Sequence, residues 1–117
     1  YISLYQAETP SMVPIKTADR IEMLKVEDLV SVDVEGTSLI LDTLKGRQII
    51  TERLYKFQDR LNNPDFVQVS KHGIINIQHL EALEASFSGN MLALLTGKRK
   101  VDVSRRYLKN LEKRLGL

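Results

Sequence analysis

Cysteine is absent from this chain, so neither a disulfide nor a thiolate metal site can form in it. Tryptophan is absent too, and aromatics make up only 6% of the residues, so Leu, Ile and Val must supply most of the packing. The two histidines, His72 and His79, have no carboxylates around them at metal-ligand spacing, which argues against a zinc centre. No apolar run approaches the roughly 18 residues that a membrane-spanning helix needs, and the opening residues do not read as a signal peptide. A Gly-rich phosphate loop is missing, as is any Ser/His/acid arrangement in a recognisable local context. Carboxylate neighbours such as Glu27-Asp28, or Glu81 with Glu84, read as solvated surface. These absences predict a domain that is not an enzyme and holds no metal or cofactor.

What is present suits one small domain. The 117 residues are 43% hydrophobic, enough for a modest core. The chain opens on Tyr1 rather than Met, so a piece of a longer protein is expected, and residues 1–12 read as a linker or the tail of an upstream domain. Residues 13–117 form the expected domain. The net charge of +2 is unevenly spread. Residues 1–64 hold 8 basic and 10 acidic side chains, and residues 65–97 hold 1 and 3. Residues 98–117 hold 8 basic and 2 acidic, a local excess that would suit a polyanion or, more plainly, a solvated basic helix.

Period-two patterning dominates from Val13 onward. Ile15 and Thr17, then Ile21 and Met23, read as strands around a turn at Ala18-Asp19-Arg20. A strand over 29–34 turns at Glu35-Gly36 into another over 38–44, and Lys45-Gly46 leads into a strand over 47–50. Hairpin turns are expected at Ser88-Gly89-Asn90 and Thr96-Gly97-Lys98. Short strands at this spacing predict a mainly β domain built from hairpins. Two helices interrupt it. Thr51 can cap one over 52–61, with Leu54, Phe57 and Leu61 on one stripe, ended by Asn62-Asn63-Pro64. Ser104 can cap the other over 105–114, striped by Leu108, Leu111 and Leu115.

Two stretches carry the chemistry. In Phe66-Val67-Gln68-Val69-Ser70-Lys71-His72-Gly73-Ile74-Ile75-Asn76 a strand pattern breaks into a hydroxyl and cations. In Val101-Asp102-Val103-Ser104-Arg105-Arg106-Tyr107-Leu108 it does so again. Two strand ends of this kind suit a polyanion better than a buried substrate. Arg105 and Arg106 in a first helical turn oppose the helix dipole, at up to about 1 kcal/mol each. A phosphate at that turn would reverse the cost.

Order and spacing of the two stretches resemble the LytTR family, the DNA-binding output domain of many bacterial response regulators. Its pattern is roughly Phe-x-Arg-hydrophobic-[Ser/His]-[Lys/Arg/Asn]-Ser-x-hydrophobic-hydrophobic-Asn, then hydrophobic-Ser-Arg-Arg-Tyr near the C-terminus. The resemblance runs from about Pro14 to Leu115. It implies a LytTR-like fold of about ten short strands in small stacked antiparallel sheets with two short helices. It also implies that Gln78 to Ala85, helix-prone in composition, forms one turn and then a strand. The implied function is sequence-specific binding of double-stranded promoter DNA, with loops entering the major grooves. The implied setting is a homodimer on direct repeats in the cytoplasm, controlled by an upstream sensory or receiver domain and without a membrane partner.

Residue by residue, Ser104 falls on the family's Ser and Arg106 on its base-contacting Arg, leaving Arg105 to a phosphate or to the fold. Lys71 falls on a groove-reaching position, flanked by Ser70 and His72. Gln68, His72 and Gly73 depart from the commoner Arg, Ser and bulkier residue, which bears on how this loop meets phosphate rather than on the fold. In the turn Glu35-Gly36-Thr37-Ser38, Ser38 aligns with a base-contacting side chain and Thr37 is its neighbour, while Glu35 would repel phosphate. Asn76 is expected to bond backbone in the turn that follows. The alternative is a non-catalytic β domain whose basic C-terminal helix binds an acidic protein partner or RNA. An RNA reader would offer stacking aromatics, and only Tyr107 lies beside the basic cluster.

Overall fold

The computed structural model describes residues 9–87 and 89–117. Its described strands run in order β1 (Met12–Lys16), β2 (Ile21–Lys25), β3 (Leu29–Glu35), β4 (Ser38–Thr43), β5 (Gly46–Ile50), β6 (Phe66–Ser70), β7 (Gly73–Asn76), β8 (Leu80–Ala85), β9 (Met91–Leu95) and β10 (Arg99–Val103). Helix α1 (Leu54–Leu61) lies between β5 and β6, and α2 (Arg105–Arg114) follows β10. All pairings are antiparallel. They make a β1-β2 hairpin, a five-stranded sheet ordered β5-β4-β3-β7-β6 and a three-stranded sheet ordered β10-β9-β8.

Alternation explains the layering. A strand whose apolar residues point both ways must be covered on both faces. Leu29, Val32, Leu39, Leu41, Phe66 and Ile74 from the central sheet pack with Val13, Ile15 and Leu24 of the β1-β2 hairpin and Phe57 and Leu61 of α1. Val30, Val67, Val69 and Ile75 face the other way, against Ala93, Leu95, Val103 and Leu111. The central sheet is thus the middle layer between two cores. Each fully buried Leu, Ile or Val contributes about 1.5–3 kcal/mol.

Both leucine stripes pack as the spacing predicts. Phe57 and Leu61 are buried, and Leu54 packs against the first core. Leu111 is buried, with Leu108 and Leu115 against the second. Residues 77–79 form one 3-10 turn and β8 follows, so the helix-prone stretch is a strand. Asn76 is buried and structural. Its side-chain amide donates to the Leu29 carbonyl at 2.9 Å, and its side-chain oxygen accepts from the Gln78 amide at 3.0 Å.

Three expectations are corrected. Thr51 does not cap α1. The helix starts at Leu54 with Arg53 at the N-cap and no side-chain cap bond. Glu52 stays outside the helix because Arg60 grips its carboxylate through two bonds of 3.0 Å, which leaves 51–53 without helical structure. Ser104 does occupy the N-cap of α2, but it caps with its carbonyl, taking the Tyr107 and Leu108 amides, and its hydroxyl makes no cap bond. The β4-β5 turn falls at 44–45 rather than 45–46, since Gly46 already pairs with Thr43. The turn at 96–98 is present, with Gly97 and Lys98 at φ of 83° and 62°. In the other expected turn Ser88 lies outside the described residues, as do residues 1–8 of the expected linker.

Candidate nucleic-acid interface

Antiparallel pairing decides which turns share an end of the domain. β3 and β7 pair through Asp33 and Gly73, so the turn leaving β3 (36–37) lies beside the turn entering β7 (71–72). The Val34 amide donates to the His72 carbonyl at 2.8 Å and joins them directly. The Ser104 amide donates to the Val69 carbonyl at 2.9 Å, which sets the start of α2 against the same end of β6. Thr37, Ser38, Ser70, Lys71, His72, Ser104, Arg105 and Arg106 are therefore all gathered at one end of the central sheet.

They are not equivalent there. Thr37, Lys71, His72 and Arg106 are exposed, and their side-chain polar groups have no hydrogen-bond or ion-pair partner among the described residues. Ser70 is partly committed, since its hydroxyl accepts from the His72 amide at 3.3 Å. Ser38 and Ser104 are half-buried. Arg105 donates from Nε to the Gly89 carbonyl at 3.3 Å, so the structure ties it to the β8-β9 loop.

The departures from the family's first pattern also have local explanations. Gln68 donates to the Ser70 carbonyl at 3.0 Å and braces the turn from within. Gly73 is buried, and a Cβ on it would lie 3.3 Å from both Asp33 Oδ1 and Ser70 Oγ. That spacing is tighter than a bulkier residue accepts without moving its neighbours.

Charge at the C-terminus is less concentrated than the sequence suggests. Arg99 pairs at 3.2 Å with the buried Asp42, which also holds Arg47 at 2.9 Å. Arg114 donates to the Pro64 carbonyl. Lys98 and Arg99 sit at the far end of β10 from Ser104. What remains by the turns is Arg105, Arg106 and Lys100, which lines a cleft with Ser70 and Gly73. Arg106 is continued along the outward stripe of α2 by the exposed Lys109 and Lys113 at three- and four-residue spacing, opposite the buried Leu111.

Two residues escaped the sequence reading. An open cleft of about 590 Å³ between the start of α1 and the two turns is lined by Thr37, Lys71 and His72 on one side and by Arg53 and Tyr55 on the other. Arg53 and Tyr55 belong to no strand-end motif. The available signal was Pro64 and the polar turn before it, which place a helix beside the sheet without saying which end of it faces the turns. Glu52, also in the cleft, is neutralised by Arg60. Exposed Glu35 and Asp33 are opposing charges at this end, and neither has an ion-pair partner among the described residues. At the opposite end His79 ties the layers together. A carbonyl only accepts, so its Nε2 donates to the Glu27 carbonyl at 2.6 Å, and Nδ1 meets Thr96 Oγ1 at 3.1 Å.

Hydroxyls and cations on rigid turns, with a basic helix stripe beside them, form a surface that can hydrogen-bond base edges and neutralise phosphates. Comparisons with known proteins bear on the family of the chain as a whole. The Staphylococcus epidermidis sensory transduction protein LytR is 29% identical over 106 residues, covering 91% of this chain and 42% of that protein. The Staphylococcus aureus transcriptional regulatory protein LytR is 26% identical over 105 residues, covering 90% and 43%. The chain thus spans less than half the length of these relatives. Among solved structures, the LytTr DNA-binding domain of a Bacillus cereus protein described as a methyl-accepting/DNA response regulator superposes with a TM-score of 0.80 at 19% identity, covering 92% of this chain and 99% of that one. The family model of the LytTr DNA-binding domain matches residues 19–116, nearly the whole sequence, and the chain belongs to that family.

Proposed function

We propose that this domain is the DNA-binding output domain of a bacterial transcriptional regulator and reads double-stranded promoter DNA sequence-specifically through its loops. The observation that carries this reading is the convergence of the 36–37 turn, the 71–72 turn and the first turn of α2 at one end, tied by the Val34–His72 and Ser104–Val69 hydrogen bonds. In this reading Arg106 and Lys71 enter major grooves, with Ser38 and Thr37 at a neighbouring base edge. Arg105, Ser70, His72 and Ser104 position the backbone, and Arg53, Lys109 and Lys113 add phosphate contacts.

The family supports a cytoplasmic protein that binds as a homodimer on direct repeats. The greater length of the LytR relatives supports an upstream sensory or receiver domain. Salt-titrated binding of the chain to a random duplex and to duplexes selected from a random library tests the reading. Steep salt dependence on both, with tighter binding to the selected duplex, is expected. Binding that stays flat with salt, or that shows no preference among duplexes, would favour an acidic protein partner for the basic helix instead.

A further inference from the structure

Phe87 is the most exposed large apolar residue among those described, at 112% of its reference area. An exposed aromatic in isolation is ordinary on a soluble protein. Its position is not ordinary. Phe87 stands in the loop joining β8 to β9, where Ser86 and Asn90 close a turn by the Ser86 amide donating to the Asn90 carbonyl at 3.0 Å. The loop leans on the first turn of α2. Arg105 Nε donates to the Gly89 carbonyl, and the Arg105 guanidinium lies 3.0 Å from where a Cβ on Gly89 would be. Gly89 also has φ of 88°, so another residue there would strain the loop and displace Arg105. The loop is thus seated on Arg105, the chain neighbour of Arg106, with its one large apolar side chain left in water.

We infer that Phe87 is an apolar contact of the DNA face and packs on a thymine C5-methyl in the groove entered by Arg106. This rests on the DNA-binding reading and deepens it. In the major groove thymine alone among the bases presents a methyl group, and apolar side chains, Phe among them, recognise it. The neighbouring cations bring the duplex to the loop, and the ring then has one apolar feature within reach. Burial of a single methyl is worth roughly fourfold in affinity.

The test uses the whole 117-residue chain and a duplex recovered by the wild-type protein from a random library, each thymine replaced in turn by deoxyuridine, which removes only the methyl. Replacement at one position per half-site is expected to weaken wild-type binding roughly three- to tenfold. Phe87→Ala should bind the thymine duplex as weakly as wild type binds the uracil one and should no longer distinguish the two. Phe87→Leu should retain part of the discrimination, and Arg105→Ala, which frees the loop, should blunt it. If the wild type prefers the selected duplex but no uracil substitution matters, or if Phe87→Ala still discriminates, the inference is overturned and the DNA-binding reading stands. If the wild type shows no preference for any duplex, that reading falls and takes the inference with it. If Phe87→Ala instead changes the oligomeric state without DNA and leaves the thymine effect intact, Phe87 is a contact between copies of this chain and the inference fails.

Discussion

The Val34 amide and the His72 carbonyl share a hydrogen bond of 2.8 Å, and that bond makes one rigid unit of two turns 35 residues apart in the chain. Reading side chains on separate floppy loops would pay the ordering entropy of each loop on binding. Here Lys71 and Thr37 are held in fixed relation before any ligand arrives.

Arg106→Ala should relax sequence preference, because a guanidinium bidentate to guanine discriminates by about 1–3 kcal/mol. Arg105→Ala should weaken binding to specific and random duplexes both, and lose only that part of the preference carried by the loop it braces. Lys71→Ala should follow Arg106→Ala, since its turn points out of the sheet end. All three side chains are exposed, so melting temperatures should stay close to wild type. Affinities on both duplexes, with a melting curve for each variant, check this. Unchanged affinity and preference in all three would place the DNA face elsewhere.

Salt dependence reports how many phosphates are met. Arg53, Lys109 and Lys113, with a share from Arg105, predict a log–log slope of about −3 to −4, at about 0.9 per neutralised phosphate. Lys109→Ala and Lys113→Ala should each make the slope shallower by about one. A double variant that leaves the slope unchanged would remove the α2 stripe from the interface.

Glu35→Gln should strengthen binding. The carboxylate stands exposed beside the 36–37 turn with no ion-pair partner among the described residues. Removing a repulsion of this kind is expected to gain about 0.3–1 kcal/mol at low salt and little at high salt, because the charge is screened. Equal affinity of variant and wild type at low ionic strength would mean that this turn stays away from phosphate.

Asn76→Ala should lower stability by about 1–3 kcal/mol, since it leaves the Leu29 carbonyl without the side-chain donor it has at 2.9 Å and ends the bond to the Gln78 amide. Leu111→Ala should cost about 2–5 kcal/mol through the cavity left under α2. Both are measurable by denaturant unfolding. Asn76 lies at the end of the sheet away from the reading turns, so Asn76→Ala should preserve sequence preference under conditions where the protein remains folded.

Much of this molecule was legible in the chain because its signals are local. The alternation in Phe66–Ser70 and Leu29–Glu35 marks strands, and the Leu54/Phe57/Leu61 and Leu108/Leu111/Leu115 spacings mark helix faces, since side-chain period follows directly from backbone geometry. The hydroxyl-and-cation clusters at 70–72 and 104–106 were visible for the same reason. The ambiguous stretch after Asn76 shows the limit. Gln78 to Ala85 has helical propensity, and the strand wins because Leu80 and Leu83 pack on the second core while the backbone pairs with β9.

What the sequence determined by itself, then, was the set of elements and the residue types at their ends, because period and local propensity are written residue by residue. Only the tertiary structure decided which ends meet and which charges remain free. The pairing of Ser31, Val32 and Asp33 with Ile75, Ile74 and Gly73 joins residues some 40 positions apart, and no local pattern specifies a strand's partner. That pairing puts Thr37 beside Lys71, and the path of β5 into α1 then brings Arg53 and Tyr55 to the same cleft. Arg114, still exposed, donates to the Pro64 carbonyl, and the buried Asp42 claims Arg99, so one of the eight C-terminal cations is paired away from the surface the charge count assigned it. Burial, not composition, settles that allocation, because a carboxylate taken out of water must hold its cations close.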